Sequence, residues 1–148
     1  GDIYEGINDL DSAIRAYCDA ITINPKNPKS YNKCALVLWQ KDFLEEAIIA
    51  YNKAIGLDPE YAAAYNNLGV IYLDGIRNLK EAKKLFSEAI KIDDKYAMAY
   101  FNLARVEQEL GNNLDAAKNY QKALDYNHIK QEIDGEDILT RLHSLFEV

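Results

Sequence analysis

The stretch "YAAAYNNLGVIY", residues 61–72, packs three alanines, three tyrosines, two asparagines and a glycine into twelve positions. It contains no acid–base pair, no thiol and no glycine-rich phosphate loop. Residues 96–107, "YAMAYFNLARVE", repeat the phrase. A chain that repeats a phrase without chemistry is building the same surface twice, so periodicity is the first property to test. Ala13, Ala47, Ala82 and Ala116 lie 34, 35 and 34 residues apart. Ala20, Ala54, Ala89 and Ala123 show the same intervals, and so do Tyr17, Tyr51, Phe86 and Tyr120. Upstream, Tyr31, Tyr65 and Tyr100 follow at 34 and 35.

Each unit reads as two helices. Ala47, Tyr51, Ala54 and Ile55 fall at i, i+4, i+7, i+8, and Tyr65, Leu68, Gly69 and Tyr72 at i, i+3, i+4, i+7; both spacings are one face of a helix. Alternation is absent and strong helix formers dominate, which argues against strands. The alanines and glycine mark places where helices cross closely and a larger side chain would overpack. Pro25 and Pro59 stand where a second helix must stop. Gly111 stands at the inner turn, where a left-handed residue ends the first helix. Asp42 and Asn8 hold the corresponding places, and both types tolerate that conformation. The third unit carries one extra residue, expected at its inner turn near Gly75 to Arg77.

With "AYNNLGVIY…EAKKLFSEAI" and "EEAIIAYNKAIGLDP", residues 1–130 resemble the tetratricopeptide repeat, a 34-residue helix-turn-helix unit. The departures are Glu107 for the usual tyrosine, Asp94 and His128 for proline, and Cys34-Ala35 for Leu-Gly. The resemblance implies an all-α fold, a right-handed superhelical solenoid of antiparallel helix pairs. In this register 1–27 is a partial repeat, and 28–61, 62–96 and 97–130 are repeats. The first unit starts mid-helix, with Gly1 and Tyr4 in the register of Gly69 and Tyr72. The chain is therefore expected to be a piece of a longer array, or its missing turn to be disordered. The segment 131–148, with Ile138, Leu142 and Leu145 on one face and acids at its start, reads as a capping helix.

Bulk properties narrow the function. The chain has 148 residues, 49% of them apolar and 28% charged, as in an ordinary folded domain. Its net charge of −7 disfavours nucleic acid and anionic membrane surfaces as partners. No apolar run is long enough to span a bilayer, and no glycosylation sequon occurs. Cys18 and Cys34 are too few for a disulfide scaffold and read as buried structural thiols, which points to a reducing, cytoplasmic setting. His128 and His143 lack metal-ligand spacing, and "DGED" is not a calcium loop. Neither cofactor nor metal is expected, and the reading is non-enzymatic.

A second stripe on each first helix is left for function. It holds Asn32, Leu36 and Trp39 in the second unit. Asn66, Val70 and Leu73 hold it in the third, and Met98, Phe101 and Arg105 in the fourth. Two readings stay open: a concave groove for a protein or peptide ligand, as the resemblance implies, or side chains that bury one another along the inner curve. Asn67 and Asn102 match in register and resemble the asparagine ladder of O-GlcNAc transferases. Lys33 breaks that series, and asparagine is common there in the family. The places of a carboxylate clamp for chaperone C-termini lack the cations it requires. The expected function is an adaptor or scaffold module. A regulatory or substrate-docking region of a larger enzyme is one alternative, and self-association through the open N-terminal end is another.

Overall fold

A computed structural model describes residues 2–131 and 133–147, with side chains from residue 9 onward apart from 129 and 130. Gly1 lies outside the described residues, as does the side chain of Tyr4. The elements are α1 (Asp2–Ile23), α2 (Pro28–Gln40), α3 (Leu44–Leu57), α4 (Ala62–Val70), a π-helical segment (Ile71–Ile76), α5 (Leu79–Ile92), α6 (Ala97–Glu109), α7 (Asn113–Lys130) and α8 (Gly135–Ser144). No strand occurs among the described residues. The chain divides into two compact units, Gly1–Asn67 and Leu68–Val148.

In the first unit α2 packs against both α1 and α3. The Asn27 side chain caps α2 by accepting from the Lys29 N–H at 3.1 Å, and Pro28 occupies the first helical turn, where its missing N–H costs nothing. Ala35, Ala47 and Ala54 are fully buried, and Tyr51 fills the space beside them. The expected turn at Asn8 is not formed, and α1 runs straight through it. Asparagine tolerates a left-handed turn but does not compel one, and continuing the helix through it keeps the backbone hydrogen bonds of the segment.

The inner turns share one device. Asp42 adopts φ 63° and Gly111 φ 80°, both left-handed. Beside them the Phe43 N–H reaches back to the Leu38 carbonyl and the Asn112 N–H to the Glu107 carbonyl, each at 2.9 Å. This double closure satisfies carbonyls that the helix end would otherwise orphan. At the third turn Arg77 is the left-handed residue, with φ 65°, and the Asn78 N–H bonds to the Tyr72 carbonyl at 2.8 Å. That ring is one residue longer than the other two. The extra residue is thus absorbed inside the helix, by widening its last turn to π geometry, and not in the turn that follows.

The outer turns are pinned by tyrosine. The Tyr65 hydroxyl donates to the Pro59 carbonyl and the Tyr100 hydroxyl to the Asp94 carbonyl, both at 3.0 Å. Asp94 therefore replaces proline without losing the bond, because the carbonyl and not the ring is what the tyrosine reads. His128 differs: with no proline to stop it, α7 continues to Lys130 and ends at a left-handed Gln131.

In the second unit α6 packs on α5 and α7, and α7 on α8. Tyr100, Ala104, Ala116, Tyr120 and Ala123 form a core that Ile138 and Leu145 complete, with Leu142 packed at its edge. A second cluster joins Leu73, Ala82, Phe86 and Val106. Asp134 caps α8 by accepting from the Glu136 N–H at 3.0 Å. Asn127 fixes the approach to α8 by exchanging two hydrogen bonds with the Ile133 backbone.

Candidate functional site

The eleven stripe residues divide between the units. On α2 of the first unit, Asn32 is buried, Leu36 is 41% exposed and Trp39 is half-buried. The spacing i, i+4, i+7 keeps them on one face, while Ala35 and Val37 turn to the core. Asn67 of α4 donates its side-chain amide to the Asn32 oxygen at 3.2 Å. The face therefore has an amide end and an apolar end. Asn66 is almost fully buried and is not part of it. Asn32, also buried, supports Asn67 from beneath and is not itself open, which corrects the expectation of an open stripe for both.

In the second unit Val70 and Met98 are half-buried, and Arg105 is partly exposed. Leu73 and Phe101 correct the expectation of an open stripe. Leu73 is fully buried with Phe86 and Val106, because the π turn rotates it off the expected stripe. Asp74, one position on and 35 residues after Trp39, is the exposed residue there. It pairs with Arg105 at 2.7 Å and 3.3 Å. Phe101 is 8% exposed: Tyr120 meets its ring edge-on at 5.7 Å, and the Arg141 guanidinium of α8 lies 5.3 Å from its centroid. Asn102 is also buried, with Arg105 near its side-chain oxygen at 3.4 Å. The Asp74–Arg105 pair was hidden from sequence reading because the extra residue shifts the register by one just before it.

Glu107, in a tyrosine position, is buried. Lys83 reaches it at 2.7 Å and the Asn112 amide at 2.8 Å. Burial alone would raise its carboxyl, but the Lys83 and Asn112 hydrogen bonds and the Lys83 charge outweigh this and hold it below the ordinary carboxylate range. Its stabilisation is thus complete above the unfolded-state value of about 4.3 and is lost as the pH falls through the lower folded value. Urea midpoints from pH 7 to pH 3 are expected to fall more for the native chain than for Glu107→Gln, which lacks the titrating group. Parallel profiles would show that the pair is too well screened at its exposed lysine to matter.

Chemically reactive groups are sparse. Cys34 is buried, and burial followed by the neighbouring Cys18 raises its thiol, which keeps it protonated. Cys18, expected to be buried, is exposed, although it lies beside Cys34. No group of three or more His, Cys, Asp or Glu side chains suited to a metal ion occurs among the described residues. No helix among them is long and apolar enough to cross a membrane.

Residues 1–42 and 44–74 match a family described as TPR repeat, and residues 62–96 and 97–127 match one described as tetratricopeptide repeat. The chain belongs to the tetratricopeptide repeat family. No curated protein sequence matches it. Among solved tetratricopeptide-like structures, one of MamA superposes with a TM-score of 0.73 at 24% identity, over 90% of this chain and 77% of that one. A second, of MamA protein, gives 0.71 at 25% identity, over 99% and 84%. The first TPR of Spaghetti (RPAP3), bound to the HSP90 peptide SRMEEVD, gives 0.71 at 17% identity, over 80% and 90%. These likenesses place the fold among all-α tetratricopeptide repeats, whose general role is protein–protein interaction.

Proposed function

We propose that the chain is a non-catalytic adaptor module, and that the α2 face of the first unit takes an extended or helical segment of a partner protein. The observation that carries this reading is that Leu36 and Trp39 stay partly open on a helix whose other face is packed. An apolar anchor beside an amide suits a peptide, since the ring desolvates a side chain while the half-buried Asn67 addresses the main chain. The SRMEEVD peptide carried by the RPAP3 structure is acidic. A chain of net charge −7 without clamp cations at the matching places is poorly suited to such a ligand, and an apolar or basic segment fits better.

Trp39 is the only tryptophan, so its fluorescence reports this face alone. Iodide is expected to quench it in the free chain and to quench it less once a peptide selected on the intact chain is bound. Trp39→Ala should weaken that peptide by about tenfold or more while leaving the urea midpoint nearly unchanged. An indole shielded in the free chain, together with a Trp39→Ala variant that mainly unfolds, would make Trp39 a core residue and remove the centre of the face.

A further inference from the structure

The outer side of α3 carries an anomaly in the repeat register. At the position two residues after the first recurring alanine of each unit, the other units carry Arg15, Lys84 and Lys118, whereas the second unit carries Ile49. Its side chain is 68% exposed. Beside it lies a cleft of about 390 Å³, lined by Ile21, Tyr31, Ala50 and Ile49 itself and bounded by Glu46 and Lys53. The same face ends at Gly56, where the other units carry Thr22, Lys91 and Asp125. A side chain added at Gly56 would meet nothing within 4 Å. Packing inside the chain therefore gives no reason for a helical glycine, a choice that weakens the helix.

We infer that this face is where a second copy of the chain docks. Glu46 and Lys53 sit seven residues apart with Ile49 and Ala50 midway between them. A two-fold axis through that midpoint runs the two α3 helices antiparallel and sets each Glu46 against the Lys53 of the other copy. Knob and cleft then serve each other: Ile49 of each copy enters the cleft beside Ile49 of the other, as an isologous contact requires. Gly56 lets the approaching backbone come close at the edge. Local charge complementarity argues for this occupant: the exchange of Glu46 and Lys53 supplies an opposite-charge contact twice, against the general repulsion of two chains of net charge −7. The contact lies on the outer side of the helix pairs, away from Leu36 and Trp39, and stands whether or not that face binds a peptide.

Sedimentation velocity on the full chain, at increasing concentration and low salt, is the test. A species of twice the 16.8 kDa chain mass is expected. Ile49→Asp, at an exposed position, should keep its helical circular dichroism and raise the dimer dissociation constant at least about tenfold. Glu46→Lys and Lys53→Glu should each weaken self-association, since either places like charges opposite one another. Mixing those two variants should restore pairing as a heterodimer, because each then meets its complement at both ends. A chain that stays monomeric at every concentration overturns the inference. So does a dimer indifferent to Ile49→Asp, which would lie elsewhere, for example at the N-terminal end. Failure of the mixture to pair would refute the antiparallel geometry.

Discussion

Tyr120→Ala is expected to destabilise the second unit by about 3–5 kcal/mol, the range for deleting a large buried aromatic ring. Tyr120 is fully buried and lies at the centre of the cluster that joins α6, α7 and α8. Three separate losses add up. The ring leaves a cavity among Ala104, Ala116 and Ala123, which are too small to close it. Its edge-on contact with Phe101 disappears, and with it the support that positions Phe101 under Arg141. The hydroxyl, which donates to Gln108 at 2.9 Å, also goes. Tyr120→Phe separates the last term and should cost about 1–3 kcal/mol, the net range for its hydrogen bonds to Gln108 and the charged Arg141. Urea titrations of both variants check the ordering. Equal midpoints for the native chain and Tyr120→Ala would mean that α8 packs without this ring, and the core assignment would fail.

How far the sequence could be read follows from what each feature depends on. The helix pairs, the left-handed residues at Asp42 and Gly111 and the stop at Pro59 depend on one residue and its near neighbours, so periodicity and turn chemistry exposed them. The π turn depends on where a single extra residue is cheapest to store. Gly75 to Arg77 was a sensible place by composition, but widening the helix keeps its backbone bonds, and Leu73 moved inward as a result. Phe101 shares its register with Asn32 and Asn66, and all three are buried, a row the stripe pattern alone left open. The Phe101 ring is covered by Tyr120 of α7 and by Arg141, forty positions away on an element outside the repeat. Cys18 looked buried because cysteine usually is. Its exposure beside the buried Cys34 depends on how much of α1 the neighbouring helix covers, a property no local pattern encodes. The face around Trp39 was legible as a stripe, whereas its amide end rests on an Asn67–Asn32 bond between residues 35 apart.

Gly69→Ala should destabilise the second unit by roughly 1–3 kcal/mol through overpacking, although alanine is the better helix former. A methyl built on Gly69 would lie 2.6 Å from Phe86 Cε1 and 2.9 Å from its Cδ1. Phe86 cannot yield easily, being fully buried against Leu73, Ala82 and Val106. The helix crossing can therefore be traded between the two positions. Phe86→Leu alone leaves a void and costs stability, but it also removes the ring atoms that the new methyl would strike. The double variant Gly69→Ala/Phe86→Leu should then be more stable than the sum of the two single effects predicts, by about 0.5–3 kcal/mol of coupling. Strict additivity would show that the two sites do not share their space, and the close crossing that the repeated glycine and alanine columns encode would lose its physical basis at this position.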